Sequence, residues 1–502
     1  MTPNEKKDRL APDVRREAER RDRAVKIGLL AVSLATLAFL AAAALRENVF
    51  TEWRHRQREY ASILDAKATD DRGRKLARDF GVEMRQIVVP ELGAVDRCVS
   101  CHGGLDDPRM TDVPNPHAVH PGRYLEDHEM NRFGCTVCHR GQGRAMTFGD
   151  AKSDDRHWDY PLLPVSLTQS SCGTCHSVRE VADHGGDVYA AGAALFEAKG
   201  CRSCHKLDGR GGSLGPVLDN EGLKVRGELP MAGVEGPHTL PQWIIEHFAD
   251  PQKIVAGSRM PRPGLSREET EALTTFLLSL QSKRDLPASY LTPEKHLDIH
   301  ATANPDAMTG QELYAAYCST CHDTGTQGRY DTFFNTFIPA VRGPSFQAAA
   351  EPAYVAANIR QGRQGTIMPA WGPAAGGLTE ADLARLTAYL LGRDVAAEET
   401  APDAGAARTG AGDPSRGLEI FVKNCTGCHG GAGQGKLGPS LDSPVFAAHA
   451  SDAFLRRTIA EGRRNTAMPA FGSRGGAGLT DGDLDDLISF IRTLGGAAAT
   501  SP

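Results

Sequence analysis

One short pattern, Cys-x-x-Cys-His, uses all twelve cysteines of this 502-residue chain. Composition alone predicts about 0.01 accidental copies among twelve cysteines, so six copies are not a chance arrangement. Because every cysteine belongs to a copy, none is left for a disulfide or for a nucleophile. The six copies are Cys98/Cys101/His102, Cys135/Cys138/His139, Cys172/Cys175/His176, Cys201/Cys204/His205, Cys318/Cys321/His322 and Cys425/Cys428/His429.

This spacing is the one that covalent attachment of haem c requires. The two thiols bond to the porphyrin vinyl groups, and the histidine that follows supplies one axial ligand to the iron. Zinc would require the motifs to pair into four-ligand sites, and would not explain a histidine after every second cysteine. A redox-active cysteine pair does not require that histidine either. The sequence therefore predicts six covalently bound haem c groups.

The amino-terminal residues predict a membrane anchor. Residues 1–26 form a basic leader, and the predicted transmembrane segment 27–46 contains an uncharged run, Ile27 to Leu45. As a helix this run is about 28 Å long, close to the hydrocarbon thickness of a bilayer. Basic residues before it keep that end cytoplasmic, so we expect a single-pass protein of the inner (cytoplasmic) membrane with periplasmic haem domains. The alternative is a signal peptide cleaved near Ala41 to Ala44.

The composition narrows the fold and the partners. The net charge is −6 and there is no large basic domain, so nucleic acid is not an expected partner. Glycine is frequent, with 54 residues, and aromatic residues make up only 6%. This suits a mainly α fold with much irregular structure.

The spacing of the motifs predicts the domain organisation. Residues 47–97 contain no motif and are expected to form a charged stalk. Residues 98–184 hold three motifs, too many for separate cores, and are expected to form one compact tri-haem module. The rest of the chain holds three repeats with one motif each. The predicted repeats, linkers and tail are 185–285, 286–305, 306–395, 396–413, 414–495 and 496–502.

Each repeat carries the same features in the same order. A helix with a glycine and an aromatic residue precedes the motif, Gly-Pro and Met-Pro pairs follow it, and a capped helix with an apolar face ends the repeat. The methionines are predicted iron ligands because all three stand in the same Met-Pro context after their motif. A bound thioether raises the potential of the iron and closes it to substrates. The proline carbonyl is expected to accept the N–H of the motif's imidazole. The members are Gly192, Phe196, Pro216, Met260 and Phe276; Gly310, Tyr314, Pro344, Met368 and Tyr389; and Gly417, Phe421, Pro439, Met468 and Phe490.

With these features residues 185–502 resemble three class I cytochrome c domains in tandem. The resemblance implies that the first and last helices of each domain cross at the glycine and the aromatic residue. By this analogy Gly192 should meet Phe276, Gly310 should meet Tyr389, and Gly417 should meet Phe490.

Residues 95–184 resemble another group of proteins. Val95-Asp-Arg-Cys98, and the run from His120-Pro through Phe133-Gly-Cys135 to Gly141-Gln-Gly143, are similar to multihaem cytochromes. These cytochromes accompany bacterial cytochrome b/Rieske-type quinol-oxidising complexes. The resemblance implies such a complex as the membrane partner.

Additional histidines in this segment are candidate distal ligands, since a bis-His iron is also closed. We predict His120, His128 and His157 as distal ligands, without assigning each one to a haem. His117 and His184 are substitutes, and Met110, Met130 and Met146 rank below them. The remaining histidines are interpreted as surface or core residues; they are His55, His238, His247, His296, His300 and His449.

These features favour a protein that transfers electrons. We expect it to be a subunit of an oxidoreductase complex rather than a catalyst alone. The predicted route runs from a quinol-oxidising cytochrome b-type complex to a soluble carrier or terminal oxidase. The alternative is a multihaem enzyme, of peroxidase or nitrogen-oxide reductase type, with one open haem. A third hypothesis is a docking scaffold in which the linker 396–413 makes the cytochrome domains a mobile arm.

Overall fold

The structure is a computed structural model that describes residues 11–153, 158–297, 308–364, 366–401, 412–473 and 475–497. Helices hold 54% of the chain and strands 4%, which confirms the mainly α prediction. The chain divides into two compact units, Met1–Leu162 and Leu163–Pro502. This boundary falls inside the predicted tri-haem module 98–184, because the third motif packs within the second unit.

The first unit combines one long helix with short helices and a small antiparallel sheet. The sheet pairs Ile87–Val89 with Ala94–Asp96. The α-helices are Pro12–Asn48, Glu52–Lys67, Asp71–Arg78, Tyr124–Asp127, Met130–Phe133, Thr136–His139 and Phe148–Lys152, and the 3-10 helices are Pro90–Leu92, Cys98–Ser100 and Pro108–Met110.

The long helix Pro12–Asn48 contains the predicted membrane segment. It has no buried residue, and its most apolar stretch has a mean hydropathy of 2.3, enough in length and composition to cross a membrane. The helix starts well before residue 27. Ion pairs one turn apart, Arg21 with Glu17 and Lys26 with Asp22, stabilise its polar first half.

Residues 47–97 do not form a separate stalk, which corrects that prediction. Helix Glu52–Lys67 buries Tyr60 and Leu64 in a cluster with Met110. A side chain at Gly103, directly after the first motif, would lie 2.9 Å from the Tyr60 ring. The apolar face of this helix therefore covers the first motif, because the short segments around the motif cannot form a core alone.

The second unit is built from helices joined by irregular segments and two short hairpins. The hairpins pair Lys206–Leu207 with Arg210–Gly211 and Arg329–Asp331 with Thr336–Ile338. The α-helices are Val178–Ala182, Asp187–Ala198, Leu240–Ala249, Pro251–Ile254, Arg267–Ser279, Pro293–Leu297, Gly310–Tyr317, Ser319–His322, Pro344–Ala349, Pro352–Gln361, Glu380–Leu391, Pro414–Asn424, Thr426–His429, Pro444–His449, Asp452–Glu461 and Asp481–Ala497. The 3-10 helices are Val165–Thr174, Cys201–Ser203, Glu221–Leu223, Arg226–Glu228, Ala288–Tyr290 and Ala397–Thr400.

The predicted helix crossing is confirmed in all three repeats. A Cβ atom at Gly192 would lie 2.0 Å from the Ala272 carbonyl oxygen and 2.8 Å from the Phe276 Cβ. Gly310 meets Tyr389 and Gly417 meets Phe490 in the same way, at 2.7 and 2.8 Å. The aromatic pairs stabilise the crossings at ring-centre distances of 5.1–5.5 Å; they are Phe196/Phe276, Tyr314/Tyr389 and Phe421/Phe490.

The second and third repeats share one hydrophobic core. The Tyr354 ring lies 6.1 Å from the ring of Phe446 and 4.8 Å from that of Phe454, across the two repeats. The start of the predicted linker 396–413 is also packed, since Thr400 is buried and its carbonyl accepts a hydrogen bond from Arg360. Residues 402–411 of this linker lie outside the described residues. A shared core does not fit a mobile arm between these two repeats.

The first and second repeats are joined by a buried ion pair. The fully buried Asp382 carboxylate accepts a hydrogen bond of 2.9 Å from Arg210 of the first repeat, and it also pairs with Arg385. The backbone N–H of Gly211 donates to the Gly376 carbonyl at 2.9 Å. The three repeats therefore pack in succession within the second unit.

Candidate haem-binding sites

The motif histidines of the three repeats are oriented by proline carbonyls. The Nδ1 atoms of His205, His322 and His429 lie 2.8–3.1 Å from a proline oxygen. A carbonyl only accepts, so Nδ1 carries the proton and Nε2 is the free ligand atom. Burial lowers the pKa of all three imidazoles, which favours the neutral form that binds iron.

The second repeat departs from the predicted Gly-Pro rule. His205 and His429 bond to Pro216 and Pro439 as predicted, but His322 bonds to Pro339 and not to Pro344. Pro344 instead occupies the first position of helix Pro344–Ala349, where proline is favoured. The sequence offers two prolines after this motif, and pattern alone does not choose between them.

Glycine is required beside two of these imidazoles. A Cβ atom at Gly215 would lie 2.5 Å from the His205 ring, and one at Gly438 would lie 2.9 Å from the His429 ring. Both distances are shorter than real Cβ contacts. The glycine before the proline thus lets the backbone approach the flat side of the ring, and fixes the direction of the ring.

The three predicted methionine ligands share one local geometry. The backbone N–H of each methionine donates to a hydroxyl two residues earlier, at 3.1–3.2 Å, and each side chain is half-buried. The hydroxyl belongs to Ser258, Thr366 or Thr466. This equivalence extends to Met260, whose repeat differs most from the other two.

One cavity of about 620 Å³ contains both the motif histidine and the methionine of the second and third repeats. Its lining includes His322 with Met368 and His429 with Met468, together with the thiols of both motifs. Buried polar atoms in this lining, the Tyr314 hydroxyl and the Asn358 Oδ1, have no partner in the described part of the chain. An apolar cavity with free imidazole nitrogens, thioethers and thiols suits covalently attached haem.

The motifs of the first and second repeats are in direct contact. The Thr320 hydroxyl donates to the Gly200 carbonyl at 3.0 Å, and Gly200 directly precedes Cys201. Burial, helped by the nearby Cys204 thiol, raises the pKa of Cys321 to about 11. The backbone that precedes the motif of the first repeat thus packs directly on the motif of the second.

The third motif is held by the first repeat and by the segment that follows it. A Cβ atom at Gly173 would lie 2.7 Å from both Tyr189 and Ser279. The buried Lys295 ammonium donates to the Gly173 carbonyl at 2.7 Å. Part of the predicted linker 286–305 is thus packed against the motif, while residues 298–307 lie outside the described residues.

The histidine of this third motif, His176, departs from the sequence prediction in its placement. It lies in the second unit, so its placement in one compact module with His102 and His139 is wrong. Its Nδ1 lies 3.9 Å from the Glu180 carboxylate one helical turn later, an ion-pair distance that is too long for a hydrogen bond. The role of His176 as an iron ligand stays a prediction.

The first two motifs are adjacent in the first unit. The Cys135 thiol is hydrogen-bonded to the Cys98 sulfur, which lowers the pKa of Cys98. The buried Asp96 carboxylate accepts hydrogen bonds from the backbone N–H groups of Cys135 and Thr136, and so fixes the second motif to strand Ala94–Asp96. The two motifs therefore share one small core, and haem attachment at each stays a prediction.

The second thiol of the second motif, Cys138, differs in exposure from the other motif cysteines. Cys138 is exposed, whereas the other eleven motif cysteines are partly buried. The reason is local: in the short helix Thr136–His139 the neighbouring Val137 takes the buried side. A haem attached through Cys138 would therefore lie towards the surface of the first unit. Attachment at this thiol stays a prediction.

The candidate distal histidines lie in different surroundings. The His120 ring is 6.1 Å from the His139 ring between centres, and its Nδ1 is bonded to the Pro121 carbonyl. His128 bonds to the Tyr124 carbonyl and packs on Phe133 at 5.0 Å. His157 lies outside the described residues. The structure thus brings His120 to a motif histidine and leaves the roles of His128 and His157 as predictions.

The substitutes also differ from one another. His117 is buried, and its Nε2 lies 3.3 Å from the Glu59 carboxylate. The pKa of the motif histidine His102 is lowered mainly by burial of His102 itself, and the charge of His117 acts in the same direction. His184 is exposed and bonds to the Glu180 carbonyl. Met110 is fully buried in the cluster beneath the first motif. The structure thus places His117 near His102 through tertiary packing, and its role as a substitute distal ligand stays a prediction.

Comparisons with known proteins agree with this geometry. Residues 305–390 and 412–491 match the family described as cytochrome c oxidase, cbb3-type, subunit III, and residues 189–281 match the cytochrome c family. No solved structure gives a significant match.

Several curated proteins are similar to part of the chain. A cbb3-type cytochrome c oxidase subunit CcoP from Azospirillum sp. is 27% identical over 37% of this chain and 62% of its own length. A FixP subunit from Azorhizobium caulinodans is 26% identical over 38% of this chain and 63% of its own length. A FixP subunit from Bradyrhizobium diazoefficiens is 33% identical over 17% of this chain and 28% of its own length. The chain spans less than two thirds of these relatives. With its matched cytochrome c domains, each built around an attachment motif, the chain is a multihaem c-type cytochrome.

Proposed function

We propose that this protein is a membrane-anchored hexahaem cytochrome that transfers electrons between haems held side by side. The observation that carries the proposal is the contact between successive motifs in the second unit. Gly200 of one motif region accepts a hydrogen bond from Thr320 of the next, and the motifs at Cys318 and Cys425 open onto one cavity. Because electron tunnelling weakens steeply with distance, closely spaced cofactors are what such a route needs.

The axial groups support transfer rather than catalysis at the iron. When bound, haem supplies an iron that alternates between the ferric and ferrous states. Met260, Met368 and Met468 occupy equivalent positions in the three repeats, and His120 faces His139 in the first unit. Such ligands occupy the position that a substrate would otherwise take.

The amino-terminal helix supports an anchor in the inner membrane. Pro12–Asn48 has no buried residue and contains an apolar segment long enough to span a bilayer. Its first part is basic, with Arg15, Arg16 and Arg20 among the leader residues. This distribution favours a cytoplasmic amino terminus and haem domains on the periplasmic side.

The proposed partners rest on two separate resemblances. The matched relatives are described as subunits of cbb3-type cytochrome c oxidase, which supports a membrane respiratory complex and an oxidase as acceptor. The donor, a quinol-oxidising cytochrome b/Rieske-type complex, is supported by the pattern of residues 95–143 alone. We propose that electrons enter from such a donor and leave to a terminal oxidase or a soluble carrier.

Redox titration of the purified full-length protein, with a measured haem-to-protein ratio, tests this function. We expect six haems per chain, all low spin, with about three at high potential and about three lower. A haem that is high spin in the ferric state and binds carbon monoxide after reduction would instead favour the multihaem enzyme. Rapid-mixing reduction by a quinol-oxidising complex, compared with oxidation by a terminal oxidase, then tests the two partners separately.

A further inference from the structure

Two arginines occupy equivalent positions beside the cavity shared by the second and third repeats. Arg363 and Arg463 each lie five residues before the methionine of a Met-Pro pair. The backbone N–H of each donates to the carbonyl of that methionine, Met368 or Met468, at 3.0 Å. The first repeat has Val255 at this position. The arginines are thus specific to the two repeats that face each other.

The two side chains cross between the repeats in a reciprocal arrangement. Arg463 donates to the Ala340 carbonyl at 2.8 Å, and its guanidinium lies 4.8 Å from the centre of the Phe346 ring. Arg363 donates to the Ser440 carbonyl, and its guanidinium lies 5.6 Å from the Phe446 ring. Each arginine therefore fixes its own methionine loop and reaches the opposite repeat.

The contacted carbonyls identify what each arginine approaches. Ala340 directly follows Pro339, whose carbonyl holds His322, and Ser440 directly follows Pro439, whose carbonyl holds His429. Each guanidinium thus lies one residue from the carbonyl that orients the opposite repeat's iron-binding imidazole. The arginines are placed beside the opposite site, not beside their own.

The guanidinium groups of Arg363 and Arg463 carry positive charge that the protein itself does not neutralise within the described residues. A guanidinium has five N–H donors and stays protonated in proteins, so one carbonyl and one aromatic ring satisfy it only in part. Burial lowers the pKa of Arg463, and the nearby charge of Arg363 acts in the same direction. Among the described residues neither arginine forms an ion pair with a carboxylate. Two partly buried cations that line one cavity favour the binding of an anion there.

We propose that Arg363 and Arg463 bind the propionate carboxylates of the haem attached to the opposite repeat. Arg463 then serves the haem held by Cys318 and Cys321, and Arg363 serves the haem held by Cys425 and Cys428. Bidentate pairing of guanidinium with carboxylate suits this role. The pairing couples the two haem sites, because each site is complete only when the other repeat is in place. The proposal depends on haem attachment at these two motifs and not on the identity of the redox partners.

A cation beside the haem favours the ferrous state, since that state carries less positive charge. Arg463→Gln should therefore lower one midpoint potential without changing the haem-to-protein ratio. The released propionate should regain an ordinary carboxyl pKa, so this potential should become pH-dependent between about pH 3.5 and 5.5. Arg463→Lys should restore part of the potential. Arg464→Gln is the matched control, because Arg464 is an exposed neighbour with the same charge, and it should leave all potentials unchanged.

Arg363→Gln gives a second, independent test with the same expected signature in a different haem. A folded Arg463→Gln protein with full haem content and unchanged potentials at every pH would overturn the proposal, while leaving electron transfer untouched. A structure of the haem-loaded chain tests the contact itself. Guanidinium groups at hydrogen-bonding distance from the opposite haem's carboxylates would support the proposal, and arginines bound only to backbone carbonyls would refute it.

Discussion

The imidazole rings of His120 and His139 lie with their centres 6.1 Å apart and their planes inclined by 71°. Two imidazoles that bind one metal from opposite sides have ring centres about 6 Å apart, since each metal–nitrogen bond is about 2 Å. The Nδ1 of His120 is bonded to Pro121, which leaves its Nε2 available. The distance between this pair is the one expected for two imidazoles on one iron, and their binding of one bis-His haem stays a prediction.

Replacement of His120 by alanine should open this haem. We expect one haem to become high spin in the ferric state and to bind carbon monoxide once it is reduced, while the haem-to-protein ratio stays constant because attachment uses the thiols. Electron paramagnetic resonance of the oxidised protein measures the change. His55→Ala, at an exposed histidine far from any motif in sequence, is the control. A high-spin signal from His128→Ala and none from His120→Ala would reverse the assignment.

The methionines of the second and third repeats should set high potentials. Met368→His or Met468→His should give a bis-His iron and lower one midpoint potential by on the order of 0.1 V or more, within the range of about 0.8 V that axial ligands span. Redox titration of each variant measures the shift. The exposed Met84 provides the control, since Met84→His should change no potential. Unchanged potentials in both cavity variants would exclude these methionines as ligands.

Local patterns predicted much of the second unit. The crossing of Gly192 with Phe276 was predictable because one glycine and one aromatic residue recur in three aligned copies. The capping residues of the last helices were predictable for the same reason: Ser266 and Thr379 each form the expected capping box. Repetition supplies the comparison that a single copy lacks.

Contacts between distant segments were not predictable. The third motif, with His176, packs on the first repeat through Gly173 and Ser279, which lie about a hundred residues apart and share no repeated pattern. Likewise His117 approaches the first motif only because helix Glu52–Lys67 folds over it. Motif spacing grouped three haems by proximity in sequence, whereas packing of the apolar helix faces decides which motifs share a core.

The ion pair between Arg210 and Asp382 should hold the first repeat against the second. Arg210→Gln leaves a buried carboxylate with Arg385 as its remaining cation, so we expect a loss of about 1–3 kcal/mol in the free energy of unfolding. Denaturant unfolding and limited proteolysis measure the loss. Arg267→Gln, at an exposed arginine of the first repeat, should have little effect. Equal stability of the two variants would mean that this pair does not stabilise the interface.

His247 should make the first repeat sensitive to acid. It stacks on Trp243 with ring centres 4.6 Å apart, and burial, followed by the charges of His205 and Lys224, lowers the pKa of His247 to about 4. The folded chain thus keeps this imidazole neutral, whereas the unfolded chain protonates it below about pH 6.5. The stability that the neutral His247 contributes to the folded chain is complete above that pH and is lost as the pH falls towards 4.

His247→Phe should keep the ring stacking and remove this part of the pH dependence of stability. Between pH 6.5 and 4 the free energy of unfolding should then change by about 1–3 kcal/mol less than in the parent protein. This is smaller than the full pKa shift implies, because the ring is partly exposed. Unfolding curves at several pH values measure the difference. His55→Gln removes an exposed histidine and should leave the pH profile unchanged. Parallel profiles for His247→Phe and the parent protein would contradict this assignment.

The helix crossing in the third repeat should not tolerate a methyl group. A Cβ atom at Gly417 would lie 2.0 Å from the Asp486 carbonyl oxygen, and the opposing helix must move to admit it. Gly417→Ala should therefore lower the free energy of unfolding by about 1–3 kcal/mol, although alanine favours helices. Thermal unfolding followed by circular dichroism measures the loss.

Gly482→Ala is the matched control for this substitution. It adds the same methyl group to a helix of the same repeat, where the nearest atom, the Thr480 hydroxyl, would lie 3.9 Å away. Its unfolding temperature should stay the same or rise slightly, because alanine reduces the conformational freedom of the unfolded chain. If both variants unfold at the parent temperature, the close approach at Gly417 does not hold the two helices together, and the aromatic pair Phe421/Phe490 would have to stabilise the crossing alone.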